Sequence, residues 1–109
     1  MNKLNTEQCT PYTPQSQPLT LTQAKNLCRQ LHKDWKIASD GKSIRRSLKF
    51  KDFYRTMSFT NALAYLAHSE DHHPDLELGY NYCHVTFATH SVGGLSKNDF
   101  ICAAKLDRL

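Results

Sequence analysis

Trp35-Lys36-Ile37-Ala38-Ser39-Asp40-Gly41-Lys42-Ser43-Ile44-Arg45-Arg46-Ser47-Leu48-Lys49-Phe50 is the stretch on which the fold turns. Trp35–Ser39 is a short alternating segment. Ser43–Phe50 alternates again, with Ile44, Leu48 and Phe50 as its apolar members. An Asp-Gly pair between two such runs predicts a β-hairpin closed by a two-residue turn, because glycine accepts positive φ at no steric cost. Strands joined by a hairpin are antiparallel, so this stretch points to an antiparallel sheet.

Outward from the hairpin, the period becomes helical. Upstream, Ala24, Leu27, Cys28 and Leu31 fall on one face of a helix expected from an N-cap at Thr22 to about His32. Downstream of Asp52, Phe53, Met57, Thr60, Ala64 and Ala67 form one stripe, and Phe59, Leu63 and Leu66 its neighbour. Such a face is wide enough to lie on a sheet. Pro74 disfavours helical geometry in the residue before it, so this helix must stop near His73. Strands are then expected over Glu77–Tyr82 and Cys83–Thr89, a break at Gly93-Gly94, and a last helix from Lys97 to about Arg108 capped by Ser96. The order α-β-β-α-β-β-α predicts an α+β sandwich, a four-stranded antiparallel sheet with three helices on one face.

The chain is 109 residues, 39% hydrophobic and 22% charged, which suits one domain over 19–109. Residues 1–18 hold three of the four prolines and no hydrophobic period, and read as a flexible polar tail. No apolar run is long enough to span a membrane, and Met1–Gln8 lacks an apolar leader stretch, so a cytoplasmic location is expected. Cys9, Cys28, Cys83 and Cys102 contain no Cys-x-x-Cys pair and are expected as free thiols, the last three as core hydrophobes. The basic run from Lys33 to Arg55 is interrupted by Asp34, Asp40 and Asp52 and accompanies no nucleic-acid motif. It reads as a solvated face rather than a nucleic-acid surface.

Chemistry concentrates in histidine. Five of six histidines (His68, His72, His73, His84 and His90) lie between positions 68 and 90. His68 and His72 share a helical face at i and i+4, and His72 and His73 fall in the last turn. Histidine there is suited to exchanging protons near neutral pH. His84 and His90 stand about 20 Å apart on a straight strand and cannot share one small ligand. Zinc held by His68, His72 and His90 is an alternative, weakened by the absence of a His-Glu-x-x-His motif.

Asp71-His72-His73-Pro74, then Thr89-His90, then Gly94-Leu95-Ser96-x-x-Asp99, with Trp35 and Phe50-Lys51-Asp52-Phe53 in register upstream, resemble the pterin-4a-carbinolamine dehydratase family over residues 20–107. His68 stands where many members carry glutamate. The resemblance implies a hydro-lyase that removes water from a 4a-hydroxytetrahydropterin without metal or cofactor, in tetrahydropterin recycling with an aromatic amino acid hydroxylase. It further implies a homodimer or homotetramer. Some members serve instead as dimerisation partners of a transcription factor, so a non-catalytic binding module is the alternative. The implied active-site residues are His72, His73 and His90. His72 and His90 are read as the acid/base pair, and His73 as orienting substrate or sharing the proton work. Asp71, Pro74, Thr89, Ser91 and Val92 are expected to line the pterin pocket, with Trp35 at its edge. Asp99 is either a helix-start charge or a histidine partner.

Overall fold

The computed structural model describes residues 4–109. The elements are α1 (Leu21–Cys28), β1 (Lys36–Ile37), β2 (Ile44–Lys49), α2 (Phe53–Glu70), β3 (Asp75–Leu78), β4 (Tyr82–Phe87) and α3 (Lys97–Leu106). The four strands form one antiparallel sheet in the order β1-β2-β4-β3. The α+β class and the element order agree with the sequence reading.

The hairpin is real, but its connection is longer than two residues. Ile37 pairs with Ile44, leaving Ala38–Ser43 as the loop. Gly41 N–H donates to the Ala38 carbonyl at 2.8 Å, and the Asp40 carboxylate accepts from Lys42 N–H at 2.9 Å. Asp-Gly therefore occupies the last two positions of a four-residue turn, with Gly41 at φ +72°.

Helix boundaries follow capping chemistry more closely than periodicity. α1 starts two residues earlier than expected because Thr20, not Thr22, caps it. Thr20 Oγ1 accepts from Gln23 N–H at 3.2 Å, and the Gln23 side chain accepts from Thr20 N–H at 2.8 Å. The buried stripe of α2 is Thr56, Thr60, Leu63 and Ala67, whereas Phe53 and Ala64 are exposed. Threonine can take the inner positions because its hydroxyls bond back to backbone. Thr56 donates to the Asp52 and Tyr80 carbonyls at 2.9 and 2.8 Å, and Thr60 to the Thr56 carbonyl at 2.7 Å.

β3 begins directly after Pro74 and ends at Leu78, one residue after Glu77, earlier than expected at both ends. The chain then bends at Tyr80 and Asn81, with Gly79 N–H donating to the Tyr82 carbonyl at 3.1 Å, and the Tyr82 ring leaves no room for a Cβ at Gly79. β4 stops at Phe87, and a 3-10 turn over His90–Val92 with Gly93 at φ +74° brings Gly94 back to bridge Thr89.

Ile44, Cys83, Val85 and Phe87 face inward from the sheet and pack with Ala24 of α1, Leu63 of α2 and Phe100, Ile101, Cys102 and Leu106 of α3. Cys83 and Cys102 fill the core as expected, and burial raises the Cys83 thiol above its usual pKa. All four cysteines are free. Two cations of the basic run are paired locally, Arg45 with Glu77 and Arg46 with Asp107. Among the described residues no helix is long and apolar enough to cross a membrane.

From Leu4 onward the polar N-terminal segment departs most from the flexible tail expected over 1–18, of which 1–3 lie outside the described residues. Leu4 is 2% exposed, inside the core. Glu7 pairs with Lys97 at 2.8 Å, Cys9 N–H donates to Glu70 at 2.8 Å, and Leu19 N–H donates to the Leu95 carbonyl at 2.8 Å. Polar side chains fasten it to α3 and the end of α2, which is why no hydrophobic period reveals it.

Candidate functional site

Asp71 sets the geometry. It ends α2 in the left-handed region, φ 51° and ψ 43°, and His72 N–H then reaches back to the Ala67 carbonyl at 3.1 Å. This closure forms because Pro74 stops the helix and aspartate tolerates positive φ better than most residues. His72 and His73 consequently lie beyond the helix rather than in its last turn, and the i, i+4 relation to His68 is broken. His72 is 7% exposed, while His68 and His73 are open to solvent.

His72 is bonded at both ring nitrogens. Nε2 lies 2.6 Å from Asp99 Oδ1, and Nδ1 lies 3.2 Å from Tyr12 Oη. Its ring stacks on Phe87 at 5.9 Å and 7°. Asp99 is fully buried. Its other oxygen accepts from Thr89 Oγ1 at 2.7 Å and from Ser96 N–H at 2.9 Å, the latter bond also capping α3. Asp99 thus caps α3 and meets His72 at once.

Thr89 carries this buried network to the surface. It lines an open cleft of about 450 Å³ together with His90, Asp75, Asp40, Lys42 and the Gly93-Gly94 backbone. A cleft of that size is in the range that takes a small heterocycle. The His90 carbonyl accepts from Gly93 N–H at 3.0 Å, but among the described residues neither the His90 nor the His73 ring makes a hydrogen bond, so both keep their ring nitrogens available.

The remaining sequence candidates are dispersed. Pro74 is half-buried between His73 and Asp75. Ser91 is exposed and Val92 half-buried in the 3-10 turn, and neither lines the His90 cleft. Asp71 borders a separate polar cleft with Tyr12 and Glu70. Trp35 is 3% exposed in the core, its Nε1–H donating to Asp107 at 2.8 Å and its ring 6.1 Å from Phe87. It is not on the edge of the His90 cleft; its ring meets Phe87, which in turn stacks on His72. His84 bonds Ser47 at 2.8 Å along the sheet. No group of three metal-ligating side chains occurs among the described residues, and His68 and His72 are separated by the cap.

Tyr12, Asn98 and the cleft residues Asp40, Lys42 and Asp75 were missed in the sequence. No motif surrounds Tyr12 or Asn98. The Asp40 turn was legible as a turn, but nothing in its residues said that it would face Thr89.

Comparison with known proteins places the chain among relatives of one family. A family profile described as pterin 4 alpha carbinolamine dehydratase matches residues 17–109. A Legionella pneumophila protein named "Putative pterin-4-alpha-carbinolamine dehydratase" is 56% identical over 91 residues, 84% of this chain and 80% of that one. A Nitrosospira multiformis protein of the same name is 49% identical over 109 residues, 100% of this chain and 94% of that one. Among solved structures, a transcriptional coactivator/pterin dehydratase from Brucella melitensis superposes with a TM-score of 0.79 at 35% identity, covering 84% of this chain and 96% of that one. A pterin dehydratase-like RuBisCO assembly factor of the alpha-carboxysome shares the fold at 23% identity and a TM-score of 0.61, over 71% of this chain and 89% of that one.

Proposed function

Because the chain belongs to the pterin carbinolamine dehydratase family, we propose that it dehydrates a 4a-hydroxytetrahydropterin to the quinonoid dihydropterin. The C4a–O bond breaks, a proton goes to the departing hydroxyl, and the N5 proton leaves as the N5–C4a double bond forms. No electrons leave the substrate, so the reaction needs no redox partner. Two proton transfers at near-neutral pH are work for imidazole.

The observation that carries this reading is His90 on the wall of the cleft, next to a Thr89 hydroxyl held by the buried Asp99–His72 pair. His72 has both nitrogens engaged, so the acid/base pair is redrawn from His72 and His90 to His73 and His90. His72 becomes the residue that holds Asp99, and through it Thr89, in place. Substrate would come from a tetrahydropterin-dependent aromatic amino acid hydroxylase.

The test is stopped-flow decay of a 4a-carbinolamine. The wild-type chain accelerates it above the spontaneous rate, and His90→Ala and His73→Ala each lower turnover by about 10²–10⁴-fold. A rate equal to the spontaneous one removes the enzymatic reading.

A second reading, a non-catalytic dimerisation or regulatory module, draws on a different surface. Tyr54 and Tyr65 of α2 are 80% and 77% exposed, and every residue of the edge strand β3 is open to solvent. A homodimer or homotetramer would cover them. Sedimentation of the wild type and of a Tyr54→Ser/Tyr65→Ser variant decides whether that face mediates assembly.

A further inference from the structure

His72 has a second nitrogen, and the residue that meets it comes from the opposite end of the sequence. Tyr12 is held there by a specific clasp. Thr10 N–H donates to Asn98 Oδ1 at 3.1 Å, and Asn98 Nδ2 donates to the Thr10 carbonyl at 2.8 Å. Gripping both ends of the amide fixes which Asn98 atom is oxygen and which is nitrogen. The remaining Nδ2 hydrogen then donates to Tyr12 Oη at 2.8 Å, which occupies one lone pair of the phenol.

The other bonds fix the rest of the ring. A carboxylate only accepts, so His72 Nε2 carries the hydrogen in the 2.6 Å contact to Asp99. In the neutral imidazole Nδ1 is then bare and accepts the Tyr12 O–H. When the ring takes a second proton, Nδ1–H donates to the free lone pair of Tyr12. The phenol hydrogen turns to Ser96 Oγ at 3.2 Å, Ser96 donates to Thr89 at 2.8 Å, and Thr89 donates to Asp99 at 2.7 Å. In both states every donor of this ring has an acceptor. Of the other charged groups near this end of α2, Glu70 is turned to Cys9 and Lys105, and Asp71 is exposed on the cap.

We propose that Tyr12 is a positioning residue for His72, its hydroxyl holding Nδ1 in both protonation states of the ring, and that the N-terminal segment is thereby part of the site. The kinetic arm of its test rests on the dehydratase reading; the spectroscopic arm does not.

The experiment uses the full chain labelled with ¹⁵N-histidine, the His72 signals being assigned with His72→Gln. Tyr12→Phe is expected to move the His72 Nδ1 resonance toward that of an unbonded imidazole nitrogen, with far-ultraviolet dichroism unchanged. It is expected to lower kcat roughly five- to ten-fold, the worth of one hydrogen bond, with KM held. 3-Fluorotyrosine placed at position 12 alone is a more acidic donor that preserves the fold, and it should move Nδ1 in the opposite sense. An Nδ1 resonance that neither substitution moves overturns the proposal. If the wild type does not accelerate carbinolamine decay while Nδ1 responds, the dehydratase reading falls and the role of Tyr12 stands.

Discussion

His72 and His73 are neighbours in sequence with opposite surroundings, one sealed and doubly bonded, the other open. The cause is the single left-handed residue before them. The motif Asp71-His72-His73-Pro74 made the pair legible as functional, and Asp99 was legible as a possible histidine partner. The division of labour was not legible, because a helical extrapolation through Asp71 places both rings wrongly. The signal was present in Pro74: a helix that must end before it needs a cap, and aspartate is a residue that accepts one at positive φ. Tyr12 and Asn98 carried no signal, since their partners lie 60 and 88 residues away in sequence. Removing His72 should register as stability as well as rate. His72→Ala leaves a buried carboxylate short of a donor and is expected to cost about 1.5–3 kcal/mol in urea unfolding. His90→Ala, at an exposed position, should leave the unfolding midpoint in place.

Among the elements, α2 and the hairpin were readable because each has a clear period, and their errors were errors of one turn or one loop. The N-terminal segment was unreadable because its attachment is polar. That attachment is sensitive to acid at Glu70. Burial alone would raise the Glu70 carboxyl, but the Cys9 N–H bond and the Lys105 ammonium outweigh it and hold the pKa below the usual glutamate value. A carboxyl depressed on folding contributes stability that is full above its unfolded pKa and lost as pH falls through the folded one. Glu70→Gln should therefore be less stable than wild type at neutral pH. The gap should close as pH drops below about 4, the ordinary glutamate range. Paired thermal melts across that interval check the sign; a gap that widens in acid would contradict it.

For the whole molecule, Asp107 ties three separate parts of the chain together. It accepts from His32 N–H at 2.9 Å and from Trp35 Nε1–H at 2.8 Å, and it pairs with Arg46 at 2.6 Å, with both charged side chains about 15% exposed. Asp107→Ala strands a largely buried guanidinium and is expected to cost about 2–3 kcal/mol, below the full penalty for a sealed pair because some water reaches it. Denaturant titration followed by Trp35 fluorescence measures it. The α+β architecture was legible at this scale from strand and helix order alone, since hairpins, caps and periods are local. The long-range ties were not, because a lone aspartate just after the last helix has no pattern to announce its partners.

The hydrogen-bonded ring around His72 also has a history in time. It joins residues whose separations along the chain are 27 for His72–Asp99, 60 for Tyr12–His72 and 84 for Tyr12–Ser96. Closing a loop of that last size costs on the order of 4 kcal/mol in chain entropy, so such contacts come late, after the local hairpins and helices have formed. During synthesis, His72 and His90 are made before Asp99 exists to receive the imidazole. The chain therefore has no assembled site until its final helix docks, and competence arrives together with completed folding.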